Sequence, residues 1–286
     1  MSDVRLGPIP PMRSPVMVCA FRGWNDGGEA ATAAVEYLRD RWGAERLGDV
    51  DPEEFFDFQV TRPTVRLEDG VTRRIEWPSN EFFHARGQQR DVILFLGIEP
   101  NVRWRTFSEA IMSAARDLGA ATVVTLGAFL ADVPHSLPTP VAGTAPDATM
   151  AAELGISPTG YEGPTGIVGV LQDAAVRAEF TAVSLWAAVP HYLPAGPNPK
   201  AALALVRKVA RLVGTPVETD TLARAADTWE QQVNDTIEES PELKAYVERL
   251  EAGAAERRGP IEIPSGDALA AELEQFLREQ RGGPER

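Results

Sequence analysis

The sequence predicts an α/β protein: a three-layer α/β/α fold around a mixed, mainly parallel central sheet, with a helical extension at its carboxyl end. Three observations carry that expectation. Val16–Phe21, Asp91–Ile98, Ala121–Leu126 and Thr181–Val189 are short, continuous apolar runs, as expected of strands buried on both faces. Helix-favouring stretches alternate with them over Glu29–Trp42, Arg103–Leu118, Gly166–Ala178 and Pro199–Val213, and this rhythm requires right-handed crossovers between parallel neighbours. After Gly214-Thr-Pro216 the sequence turns charged, amphipathic and free of strand patterns.

The first run ends in Arg22-Gly-Trp-Asn-Asp-Gly-Gly28, a loop in which Asn25 or Asp26 is placed to cap the next helix. In that helix Ala30, Ala33, Ala34, Tyr37, Leu38 and Trp42 recur at helical spacing. The period changes over Phe55–Trp77, where Phe56, Phe58 and Val60 alternate with polar residues. Thr64–Leu67 and Thr72–Trp77 flank Glu68-Asp69-Gly70, a hairpin signal, so an antiparallel excursion from the main sheet is expected here. Phe82–Ala85 adds a further strand. From Val133 to about Pro146 runs a long loop rich in Pro, Gly and Thr, a type that is usually functional or mobile. Glu218–Glu239 and Pro241–Ala255 read as a helical hairpin or arm. One apolar stripe is Leu222, Ala225, Ala226, Trp229, Val233 and Ile237; the other is Leu243, Tyr246, Val247 and Leu250. Gly259–Gly266 reads as a linker and Asp267–Gln280 as a last short helix. The expected division is an α/β/α unit over 1–216 and a helical extension over 217–286.

A chain of 286 residues buries enough apolar surface to stand without a disulfide or metal staple. Its single cysteine, Cys19, lies inside an apolar run and reads as a small core residue. The formal charge is 28 − 42 = −14, which repels phosphate backbones and anionic lipid and so argues against nucleic-acid and membrane partners. No apolar run approaches the roughly 20 residues that span a bilayer. Met1–Pro15 is polar and proline-rich with no apolar signal core, so a cytoplasmic location is expected.

In an open parallel sheet, ligands bind outside the carboxyl ends of the strands. Five segments should gather there and form one ligand neighbourhood: Asn25-Asp26-Gly27-Gly28, Glu99 before Pro100, Asp132 with His135, Tyr161-Glu162-Gly163-Pro164-Thr165, and His191. Gly27 and Gly28 precede a helix and could offer amides to an anion, or simply make a tight turn. Asp26 is a general base or a cap, and Asn101 is a second cap candidate. Thr165 is a ligand contact or the cap of its helix. Neither the dinucleotide fingerprint, the phosphate loop, nor a nucleophile elbow occurs, so no cofactor is expected and no catalytic residue is assigned. The histidines lack zinc spacing, and no metal is expected. Trp24 reads as packing or as a stacking surface.

Phe21-Arg-Gly-Trp-Asn-Asp-Gly-Gly28, Gly97-Ile-Glu-Pro-Asn101, Thr125-Leu-Gly-Ala128 with Asp132-Val-Pro-His135, Tyr161-Glu-Gly-Pro-Thr-Gly166 and Ser184-Leu-Trp-Ala-Ala-Val-Pro-His-Tyr192 together resemble the bacterial branch of the proteasome assembly chaperone 2 family, over about residues 14–213. The resemblance implies a fold similar to nucleoside phosphorylases and nucleosidases, and homo-oligomers, trimers first. Eukaryotic and archaeal relatives assist proteasome assembly, often through a tail ending in a hydrophobic-tyrosine motif. Here the last residues are Gly282-Gly-Pro-Glu-Arg286, without that motif. The expectation is an oligomeric, chaperone-like binding or assembly protein whose exposed C-terminal helices contact a protein partner or neighbouring subunit. The alternative is a hydrolase, phosphorylase or sensor acting on a nucleoside-like small molecule.

Overall fold

The strands of the computed structural model are β1 (Val4–Leu6), β2 (Val16–Arg22), β3 (Glu45–Val50), β4 (Thr64–Glu68), β5 (Thr72–Glu76), β6 (Asn80–Ala85), β7 (Val92–Ile98), β8 (Thr122–Ala131), β9 (Val141–Thr144), β10 (Ser157–Pro158) and β11 (Thr181–Pro190). The helices are α1 (Ala30–Arg41), α2 (Trp104–Asp117), α3 (Ala148–Leu154), α4 (Ile167–Arg177), α5 (Pro199–Val213), α6 (Asp220–Glu238) and α7 (Pro241–Glu256). The structure describes residues 3–159, 161–193 and 196–256.

Nine strands form one sheet in the order β1-β3-β6-β7-β2-β8-β11-β9-β10. The four central strands β7, β2, β8 and β11 are parallel; the strands that join them on either side, β6 and β9, run antiparallel. The parallel core is where the apolar runs are strongest, because both of its faces are covered. Alternation along β2 shows this directly. Val16, Val18 and Ala20 pack with α1 and α5, whereas Met17, Cys19 and Phe21 pack with α2 and α4. Those two clusters make the three layers. Cys19 is fully buried, and burial pushes its thiol pKa well up, so it is inert core.

The structure corrects the sequence reading at several points. Phe56, Phe58 and Val60 are not on a strand. Phe55 and Phe56 anchor a turn in which Asp57 accepts from Gln59 N–H through its side chain and from Val60 and Thr61 N–H through its carbonyl. The Val133–Pro146 loop contains β9, which pairs with β11, and β8 runs on to Ala131. Strands β1 and β3 and the short helix α3 were not foreseen. The arm expected to stand exposed instead folds back: α6 packs on α5, and Ala226, Val233, Ile237 and Val247 are buried, the last three with Tyr192, Leu193 and Trp229 around them. The expected linker over 259–266 and helix over 267–280 lie outside the described residues.

The hairpin read around Asp69-Gly70 forms as β4 and β5, but as a two-stranded sheet of its own, exposed at every strand position. Among the described residues, no helix is long and apolar enough to cross a membrane.

Candidate functional site at the strand carboxyl ends

Strands β2, β7, β8 and β11 all end on one edge of the sheet, and their turns fall into two side-chain groups. The first centres on Glu99, just past β7. Its Oε1 accepts from Asn25 Nδ2 at 3.0 Å and from Ile167 N–H, the first amide of α4, at 2.8 Å; its Oε2 lies 3.4 Å from Trp24 N–H. Asn25 is buried, and its carbonyl accepts Ala128 N–H at 2.8 Å, which ties the loop to β8. Gly166 is required here. A Cβ would stand 2.6 Å from Glu99 Oε1 and closer still to Asn25 Nδ2. Thr165 therefore does not cap α4. Gly166 is the cap position, and the exposed Thr165 places Oγ1 over Gly169. Tyr161 is half-buried and donates to Pro164 O at 2.8 Å; burial pushes its pKa up. Glu162 is exposed.

Asp26 serves α1 as Glu99 serves α4. Its Oδ1 accepts from Ala31 N–H at 2.7 Å and Thr32 N–H at 3.3 Å, and its Oδ2 accepts from the Thr32 hydroxyl. Desolvation raises its pKa, and these hydrogen bonds partly offset that rise. Gly27 packs against the Ala128 carbonyl. Gly28 has φ +60°, accepts Asn198 N–H at 2.7 Å, and leaves no room for a side chain beside Asn198. The amides that an anion would seek at the two helix starts are thus occupied, at Ala31, Thr32 and Ile167, by the protein's own carboxylates. Asn101, the other foreseen cap, instead accepts from Asp57 N–H at 2.9 Å and the Thr61 hydroxyl at 3.1 Å.

The second group lies past β8 and β11 and is covered by α6 and α7. His135 is buried; Tyr192 Oη lies 2.8 Å from both its backbone N and its Nδ1, and Asn234 Oδ1 lies 2.9 Å from its Nε2. Since Tyr192 Oη accepts the His135 backbone N–H, its own proton goes to Nδ1, leaving Nε2–H to donate to Asn234. Burial pushes the Tyr192 pKa up to about 12, which keeps that hydroxyl protonated. His191 Nδ1 stands 3.1 Å from Asp132 Oδ1, and its Nε2 stands 3.3 Å from Tyr246 Oη on α7. Lys200 bridges Glu230 of α6 to the His135 carbonyl, and the Ser136 hydroxyl donates to Glu251 of α7. The cavity beside His135, lined by Lys200, Asn198 and Trp229 among others, measures about 10 Å³, room for one water. A larger cleft of about 320 Å³ opens farther along the sheet, between Arg5, Asp51, Glu53 and Trp77. Among the described residues, no cluster of three or more His, Cys, Asp or Glu could hold a metal ion.

The eleven foreseen site residues therefore divide. Asn25, Asp26, Gly27, Gly28 and Glu99 make one connected junction at the α1 and α4 starts, with Tyr161 and Thr165 at its margin. Asp132, His135 and His191 belong to the helix-covered group, and the exposed Glu162 joins neither. Sequence reasoning missed Asn198, Lys200, Asn234 and Tyr246. Asn198-Pro199 carried a readable signal, a cap residue before proline at the first helical position, and Asn198 does accept Ala201 N–H at 2.9 Å. The others join through long-range packing that leaves no local pattern.

A family model described as the PAC2 family matches residues 20–237. A proteasome-assembly chaperone homologue from Mycobacterium tuberculosis is 47% identical, with TM-score 0.75, over 81% of this chain and 99% of that one. A PAC2 family protein from Streptomyces avermitilis is 44% identical, with TM-score 0.74, over 82% and 99%. An archaeal proteasome activator from Pyrococcus furiosus, at 16% identity and TM-score 0.63 over 82% and 99%, shares the fold. No curated protein matches the chain. The extent of the family match and the two bacterial likenesses place this chain in the PAC2 family.

Proposed function

We propose that this protein is a chaperone-like assembly factor that acts by contact with other protein chains. The observation that carries this reading is that the carboxylates of the strand-end junction are turned onto the protein's own helix-start amides, with Asn25 Oδ1 the one side-chain atom of the junction left buried without a partner among the described residues. Glu99 and Asp26 consume helix-start amides that a phosphate or carboxylate ligand would need, and Gly27, Gly28 and Gly166 sit close against neighbouring atoms. Apart from Trp24 in the strand-end loop, which is 49% exposed, exposed apolar side chains are concentrated on the β4–β5 hairpin and its flanks. Such a surface suits protein contact better than small-molecule turnover. The names of the similar bacterial and archaeal proteins point to proteasome subunits as the first client class to test.

In the same reading the protein works in the cytoplasm as a homo-oligomer, trimeric first, and α6 and α7 form a helical extension, described to residue 256, on a phosphorylase-like α/β/α unit over residues 1–216. The fold of α6 and α7 onto their own body favours a role in stabilising that body over a free capture arm. The nucleoside-directed enzyme or sensor has less support, because its anion cradle is already occupied.

The reading is tested by adding the purified protein to proteasome α- and β-subunits from its own source and following assembly by sedimentation. A stoichiometric complex with α-subunits and faster core-particle formation are expected. No complex, with an unchanged assembly rate, would contradict the proteasome-client form of the proposal.

A further inference from the structure

The β4–β5 hairpin is sharply two-faced. Val65, Leu67 and Ile75 alternate onto one side, with Arg73 beside Leu67, and are 57%, 63% and 53% exposed. Arg66, Arg74, Glu68 and Glu76 lie on the other, where Arg66 pairs with Glu76 at 2.9 Å and Arg74 with Glu68 at 3.2 Å. A two-stranded sheet is marginal alone, and the outer edge of β5 has no strand beside it among the described residues. From this we infer that the β5 edge pairs antiparallel with β5 of a second copy, about a two-fold axis through Ile75, to make a four-stranded intermolecular sheet.

The charge pattern selects both the occupant and the register. An antiparallel two-fold pairing sets each residue against a partner on the same face. Centred on Ile75, it places Arg74 opposite Glu76 of the second copy, and Glu76 opposite Arg74. Each Glu76 is then held between its own Arg66 and the other copy's Arg74, a network rather than an isolated surface pair. Ile75 meets Ile75 at the axis. Continuing the extended register one residue past β5 sets Arg73 against the exposed Trp77 of the second copy, a cation–π pairing. Thr72 then falls opposite Pro78, which has no N–H, so the ladder between copies ends there and rests on Arg73 to Trp77. The β4 edge does worse: centred on Leu67, it gives Arg66 opposite Glu68 but leaves Val65 against Asp69. In a chain of formal charge −14, sequences that complement themselves this way offset the general repulsion between copies.

This pairing does not depend on the trimeric contact proposed above. It doubles whatever closed unit that contact forms, so the two ideas fail separately. The test is the mass of the full-length protein by sedimentation, alone and with Ile75→Asp or Ile75→Lys. An even number of copies is expected in the native protein. Either variant alone should halve the mass with an unchanged circular dichroism spectrum, since Ile75 is exposed. Mixing the Asp and Lys variants in equal amounts should restore the full mass, because opposite charges then meet at the axis. Val176→Asp, an equally exposed apolar site on α4, should leave the mass alone. An odd copy number, an unaltered mass in Ile75→Asp, or no recovery on mixing would overturn the pairing.

Discussion

Glu99 and Asp26 answer the same problem at two helices: the first amides of a helix lack partners, and a carboxylate placed ahead of them supplies acceptors and favourable charge. They differ in cost. Asp26 is largely removed from water, and desolvation raises its pKa above the ordinary 3.8 despite its hydrogen bonds. The folded state therefore holds that proton more tightly than the unfolded chain. The resulting stabilisation is complete below 3.8 and is lost as pH rises through the raised value. Asp26→Asn keeps an acceptor for Ala31 and Thr32 N–H and can donate to the Thr32 hydroxyl. It should match the native protein in acid and exceed it in stability near neutral pH, in urea titrations across that range. A neutral-pH loss in the variant would show that the charge itself, through the helix dipole, outweighs desolvation. At this scale the sequence was partly legible. An acid before a helix announces a cap; Asp26 does supply acceptors to the first amides of α1, but from outside the cap position, which is Glu29. Glu99 acting on a helix that starts 68 residues later announces nothing locally.

The elements best read from sequence were β2, β7, β8 and β11, because burial on both faces leaves an unbroken apolar run. Strand β3 escaped notice because Glu45-Arg-Leu-Gly-Asp-Val50 lies near the sheet margin, where half of its residues meet solvent. Strand β9 hid in a Pro- and Gly-rich stretch; its small residues fit because Gly143 faces the Ser184 carbonyl so closely that a Cβ would overlap it. The apolar stripes on α6 and α7 are covered by their own body at Ala226, Val233, Ile237 and Val247, whereas Ala225 and Leu243 of the same stripes stay exposed. Ile237 is 6% exposed, so Ile237→Ala should destabilise the protein by about 2–3 kcal/mol. Hydrogen exchange should rise at His191, Tyr192 and Leu193, which α6 and α7 cover. A loss within about 0.5 kcal/mol would mean that the helices hardly dock.

Across the whole molecule, the sheet brings turns from distant parts of the chain to one edge, as the alternation of strands and helices required. What they do there was not legible. Gly, Asn, Asp and Glu are the residues of ligand loops and equally of turns that must hold one another, and only geometry separates the two. Here the carboxylates point at amides and the glycines make room for neighbouring side chains. In the role proposed here, contact with other chains uses surfaces away from that edge. The most direct test is thermal unfolding with millimolar purine nucleosides, free bases and inorganic phosphate. A ligand present at 100 times its Kd adds about 2.7 kcal/mol and would raise the Tm by several degrees. A junction whose helix-start amides are already held by Asp26 and Glu99 predicts no rise with any of them. A reproducible, concentration-dependent rise that is abolished by Glu99→Gln would contradict it and restore the strand ends as a small-molecule site.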